Sequence, residues 1–187
     1  MAMARLLWAC VALAGLGLAG CGGETQNGQG NAGVSSPQAA NDLKALEKVD
    51  ELSTTVGFLK AANLEKLLSG PGSYTLFAPT NGAFAALPED QRKQLESSEG
   101  RPQLVALLRQ HMVPGYVTPG DFSSALARSG PRMELASLGA GPIMVRKQGD
   151  AILLGGSEGA AQIVGTGLSV GNSIVYKIDR ILPAPGK

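Results

Sequence analysis

The sequence predicts an α+β fold, and three observations carry that prediction. Apolar residues recur at helical spacing through most of the stretch from Leu43 to Met112. After Pro114 the period changes, and short β-prone runs alternate with Gly-rich turns. Helices first and strands later is the order of an α+β domain rather than of repeated βαβ units.

The elements follow in order. Arg5 supplies a short basic region, and Leu6 to Leu18 is an apolar run too short to span a bilayer comfortably, so residues 1–20 read as a removed targeting segment. That run ends in Leu18-Ala19-Gly20-Cys21, which resembles the lipobox of bacterial lipoproteins. The resemblance implies cleavage before Cys21 and diacylglycerol attachment to its thiol; an ordinary signal peptide cleaved ahead of a cysteine is the other reading. Several acyl chains on one residue would anchor stably, since each buried methylene contributes about 0.8 kcal/mol. Residues 22–41 hold Gly, Asn, Gln, Ser and Ala with one acidic residue, a composition that cannot offset chain entropy by burial. Residues 21–41 are therefore expected to be a lipidated cysteine and a flexible tether, with an r.m.s. reach on the order of 25 Å.

One domain is expected over residues 42–185. Asp42 to Asp50 is a short amphipathic helix with Leu43, Leu46 and Val49 on one face. Ser53, Thr54 or Thr55 can cap the next, where Val56, Leu59 and Ala62 recur. Asn63 interrupts it, Leu64, Leu67 and Leu68 continue it, and Gly70-Pro71-Gly72 stops it. Tyr74 to Phe77 are strand formers, Pro79 ends the pairing, and Thr80 or Asn81 can cap a short helix from Ala83 to Leu87. Pro88 with Glu89 and Asp90 starts another helix, its acids favourable to the dipole. Gln103 to Met112 is the clearest helix, with Leu104, Leu107, Leu108 and Met112 on one face. Tyr116 to Thr118 is extended, and Pro119-Gly120-Asp121 turns into a short helix through Phe122 and Leu126. Strands are expected at Arg132 to Leu138, Ile143 to Arg146, Ile152 to Leu154, Ala161 to Val164 and Ser173 to Ile181, with a hairpin turn at Gln148-Gly149-Asp150.

Composition narrows the function classes. The two cysteines are Cys10, inside the removed run, and Cys21, so the mature chain keeps no pair for a disulfide and no cysteine-based zinc site. Sixteen basic residues less Arg5 leave 15 against 15 acidic, giving no basic field to draw nucleic acid. Gly139 to Pro142 and Gly155-Gly156 do not form a phosphate loop, because neither leads a strand into a helix. One histidine must serve every serine, so no catalytic residue, cofactor site or metal site is expected.

Three segments carry a family resemblance. Ser73 to Pro88 is similar to the first signature box of the fasciclin domain family, His111-Met-Val-Pro-Gly-Tyr-Val117 to its central histidine motif, and Gly171 to Pro183 to its second box. The resemblance implies a compact antiparallel β-wedge with a layer of short helices, and an extracellular adhesion or interaction role. Gln110 stands where family members usually have tyrosine, so this chain makes no contact through that tyrosine.

The residues singled out for a possible interaction surface are His111, Tyr116, Lys177, Asp179 and Arg180, with Cys21 for lipid attachment. His111 can be a proton shuttle or contact, or a ring hydrogen-bonded at a helix end; a lone histidine with no acidic cluster makes a poor metal site. On the last strand Ile174, Tyr176 and Ile178 share one face, and Val175, Lys177, Asp179 and Ile181 the other. The mixed second face reads as exposed or half-exposed, with a Lys177/Asp179 or Asp179/Arg180 pairing worth about 0–1 kcal/mol. The expected function is a non-catalytic, lipid-anchored envelope module binding an envelope or surface protein or a matrix polymer, without nucleic acid. Gly22 lacks the aspartate that retains lipoproteins on an inner membrane, which favours the outer one where a host has two. The alternative is a small-ligand or sensory protein with a cleft between helices and sheet.

Overall fold

The computed structural model describes residues 44–68, 70–156 and 159–182, all within the unit Ser35–Lys187. The targeting segment, Cys21 and the tether lie outside the described residues. Residues 44–47 are helical (α1) and run through a 3₁₀ turn, Asp50–Leu52, into α2, Ser53–Ala61. Asn63 then breaks the chain direction with a φ of 53°, a value asparagine tolerates better than most residues, and α3 (Glu65–Leu68) follows.

Strand β1 (Tyr74–Pro79) leads into α4 (Asn81–Ala85), α5 (Glu89–Glu96) and α6 (Arg101–Gln110). After α6 comes β2, Met112–Pro114, where the sequence had suggested a helix end and a turn. Pro114 is admissible because β2 is an edge strand, paired antiparallel with β1 alone. Next is α7 (Pro119–Ser129), which begins with Pro119 at its first turn and a reciprocal capping box between Thr118 and Asp121. The chain ends in β3 (Arg132–Leu135), β4 (Ile143–Gln148), β5 (Ala151–Leu154), β6 (Ala161–Val170) and β7 (Ser173–Ile178).

The seven strands form one mixed sheet in the order β2-β1-β7-β6-β5-β4-β3. Every neighbouring pair is antiparallel except β1 and β7, which run parallel, so the wedge is not wholly antiparallel. Residues 80–172, with four helices and five strands, intervene between those two strands, which leaves ample chain for the crossover that a parallel pair needs. β6 is longer than Ala161 to Val164, because a register shift between Val164 and Leu168 absorbs the glycines that read as a stop. Gly165 sits in that bulge with φ 75°, where a side chain would strain the backbone. The turn between β4 and β5 is the Gly149-Asp150 hairpin, with Gly149 at φ 61°.

Two hydrophobic clusters lie on opposite faces of the central strands. Leu76 and Ala78 of β1 and Val175 of β7 pack under the helices with Leu52, Leu59, Phe84, Leu104 and Leu108. Phe77 and Tyr176 face the other way, joining Phe122, Ile143, Val145 and Leu154. Rings fix both clusters: Phe58 and Phe84 meet edge to face at 5.0 Å, and Phe77 stacks on Tyr176 at 6.0 Å. Central strands buried on both faces explain why β1 reads as a run of strand formers without clean alternation.

Candidate functional site

The three motif segments meet at the centre of the sheet. β1 and β7 are neighbours, and the His111 carbonyl accepts from the Phe77 N–H at 2.9 Å just before β2 pairs with β1. His111 ends α6 with 0% exposure, so its ring contributes nothing to the molecular surface. Its Nδ1–H donates to the Leu107 carbonyl at 2.7 Å, and Nε2 accepts from the Leu182 N–H at 2.9 Å. That pattern requires a neutral ring. Burial pushes the imidazole down to about 4, against the smaller upward pull of the Leu107 carbonyl.

Gln110, also buried, stands where the family resemblance expects a tyrosine. Its Nε2 donates to the Gly141 carbonyl at 3.1 Å, and its Oε1 lies 3.2 Å from the Ser137 hydroxyl, fastening residues 137–141 against α6. The approach is close enough that a Cβ on Gly139 would stand 2.7 Å from Gln110 Cα. Only glycine fits there.

Thr80 caps its own helix, accepting from the Ala83 N–H at 3.4 Å. Asn81 caps a different one. None of Ser53, Thr54 or Thr55 caps α2; Asn81 Oδ1 accepts from the Thr54 N–H at 3.0 Å, and Nδ2 donates to the Asp50 carbonyl and Ser53 hydroxyl. Thr55 donates instead to the Pro79 carbonyl at 2.6 Å. Sequence reasoning missed this link because three plausible local caps stood beside the helix, while the true one lies 27 residues away.

The loop after β2 is held from below. Thr75 Oγ1 donates to the Gly115 carbonyl and accepts from the Val117 N–H, and the Tyr176 hydroxyl donates to the Val117 carbonyl at 2.8 Å. Burial, reinforced by Tyr116 and Asp121 nearby, raises the Tyr176 phenol to about 12, so it stays protonated and donating. Tyr116 is 40% exposed, its hydroxyl 2.7 Å from that of Ser169.

The last strand departs from expectation. Val175 is fully buried and Lys177 lies half-buried against the helical layer, paired with Glu51, so this second face is not an open surface. Asp179 pairs with neither Lys177 nor Arg180; its carboxylate accepts from the Gln162 N–H at 2.6 Å. Asp179 and Arg180 are exposed. Among the five residues singled out for a surface, Tyr116, Asp179 and Arg180 are exposed, and the fold does not bring them to one helix or strand.

Beside Gln110 lies a groove of about 550 Å³, lined by Leu95, Val105, Leu107, Leu138, Ala140 and Leu182 with Arg109 and Gln103 among its polar groups. A second hollow of about 540 Å³ lies between α2 and α6, on the other side of Leu95. Among the described residues no His, Cys, Asp and Glu cluster could hold a metal ion, and no helix is long and apolar enough to cross a membrane.

A family model for the fasciclin domain matches residues 50–185. Protein sll1483 of Synechocystis sp. is 34% identical over 136 residues, 73% of this chain and 69% of that protein. Immunogenic protein MPB70 of Mycobacterium bovis is 32% identical over 114 residues, 61% of this chain and 51% of that protein. Among solved structures, a FAS1 domain pair from the insect cell adhesion molecule Fasciclin I matches with a TM-score of 0.57 at 18% identity, over 75% of this chain and 50% of that one. The chain thus spans about half the length of the last two.

Proposed function

The chain belongs to the fasciclin domain family, and from that premise we propose that it is a non-catalytic interaction module of the cell envelope. Lipid on Cys21 holds it at a membrane, the tether of residues 22–41 gives reach, and the domain binds an envelope or surface protein or a matrix polymer. The observation that carries this reading is the use to which the motif residues are put. His111, Asn81, Thr75 and Tyr176 are engaged in internal hydrogen bonds, so the motifs build a scaffold, and variation is left to the surface around it. Support also comes from the solved relative of the same fold, which is named as a cell adhesion molecule.

The test is crosslinking on intact cells with the wild type and Cys21→Ser. The anchored form is expected to capture a distinct envelope protein or polymer that the unanchored form does not. Capture of lipid alone sinks the reading.

A second reading, a small-ligand protein, is favoured by the apolar groove beside Gln110. An anilinonaphthalene sulfonate dye should then bind the wild type, and Ala106→Trp, which fills the groove, should abolish the signal. Equal dye binding by both proteins would remove this alternative.

A further inference from the structure

The sheet has a charged row that neither the family motifs nor the proposed function uses. In β3, Met133 and Leu135 point into the core with Ile143 and Val145 of β4 and Leu154 of β5. Alternation therefore puts Arg132, Arg146 and Leu153 on the opposite face, and the strand registers set them directly side by side: Arg132 against Arg146, Arg146 against Leu153, and Leu153 against Gln162. Two like charges facing each other across a ladder repel. Glu134, on the same face, is opposite Met144 one pair further along, and it makes no ion pair with either arginine.

Among the described residues neither guanidinium has a hydrogen-bond acceptor, and Arg146 Nε is buried without one. A buried donor left unpaired is a cost that native structures avoid. Here an acceptor from outside would relieve that cost and the cationic repulsion together.

We propose that Arg132 and Arg146 form a seat for a tetrahedral dianion, a phosphate or sulfate group, on the outer face of the β3–β4–β5 sheet. Two positive charges match a dianion better than a single carboxylate, and planar guanidinium forks suit paired oxygens. Arg132, on the edge strand, is exposed and reaches one side of the anion; the buried Nε of Arg146 supplies a donor from below. Because the face is a sheet surface rather than an enclosed pocket, the fourth oxygen can carry an ester substituent. The competing role for Arg146 is to lay its stem over Met144 and Leu153 with its head in water.

The test uses the isotopically labelled full chain and follows the arginine Nε–H resonances by NMR during titration with inorganic phosphate, glycerol phosphate and acetate at matched ionic strength. At a pH high enough that both inorganic phosphate and its ester are dianions, phosphate is expected to shift the Arg146 Nε–H signal saturably. Acetate should bind roughly tenfold more weakly, and Arg132→Gln should weaken phosphate by roughly tenfold or more, the loss of one charge-assisted hydrogen bond. A glycerol phosphate response equal to that of phosphate assigns the seat to an ester group; a response to the free ion alone assigns it to inorganic anion. An Arg146 signal indifferent to every anion, or one that moves equally in Arg132→Gln, overturns the proposal and leaves Arg146 as a packing residue. Thermal unfolding of Arg132→Gln beside the wild type verifies that the variant is folded, and since Arg132 is exposed on an edge strand little change is expected.

Discussion

His111 and Asn81 show how the sparse polar residues of this chain are spent on joining segments distant in sequence. His111 must be neutral to accept from the Leu182 N–H, and its folded pKa of about 4 lies below the ordinary 6.5. The unfolded chain therefore binds the extra proton first as pH falls, so this contribution is complete above about pH 6.5 and is lost progressively down to about pH 4. The expected loss is roughly 2 kcal/mol between pH 7 and pH 5, a window in which most carboxylates stay ionised. Urea unfolding at the two pH values measures it, and His111→Gln should flatten the difference whatever it does to stability at pH 7. A wild type equally stable at both values contradicts the buried neutral ring. Asn81→Ala removes three hydrogen bonds that hold the start of α2. A cost of about 1–2 kcal/mol is expected, with faster amide exchange at Thr54. Thr80→Ala loses only a 3.4 Å cap and should cost less.

At the scale of elements, the contact between α6 and residues 137–141 is the most position-sensitive. Gly139→Ala would press a methyl onto Gln110, with its side-chain Oε1 at 2.4 Å and its backbone Cα and N at 2.7 and 2.9 Å. Overpacking of that kind costs about 1–3 kcal/mol. Denaturation should register it, along with a changed environment for the groove residues Leu138 and Ala140. A neutral Gly139→Ala would mean that the loop moves freely from α6. This contact also marks where the sequence stopped being legible. Spacing of Leu104, Leu107 and Leu108 revealed α6, and Pro119 with Phe122 and Leu126 revealed α7, because local periodicity and caps decide helices of this length. β2 was hidden because three residues ending in Pro114 carry no period and become a strand only by pairing with β1. The choice between exposed and half-exposed at Lys177 stayed open for a related reason. Alternation along β7 sorted the faces correctly, but nothing local to the strand tells that the 3₁₀ turn with Glu51 lies over the mixed face. Of the candidate surface, Tyr116 and Arg180 are exposed as an interaction role requires, whereas the burial of His111 depends on Leu182, 71 residues away.

For the whole molecule, the decisive feature is that two cores share two strands. Leu76 belongs to the cluster under the helices and Phe77 to the cluster on the other face, one residue apart on β1. Neither core can lose β1 while the other keeps it, so the domain should unfold as one unit although its hydrophobic residues form two groups. Leu76→Ala is expected to cost about 2–5 kcal/mol and Phe77→Ala about 3–5. Each is reckoned against the 5–15 kcal/mol typical of a domain, and residues 50–185 hold no cysteine, so the domain has no disulfide of its own to compensate. Far-UV circular dichroism reports the helices, most of which pack on the first cluster, and the aromatic NMR signals of Phe122 and Tyr176 report the second. In both variants the two signals should move to lower denaturant together. Separate midpoints, with only the Phe122 and Tyr176 ring signals shifted in Phe77→Ala, would show that the faces of the sheet unfold independently. In that event the surface on the Phe77 side could open locally while the helical side, with its groove, stays intact.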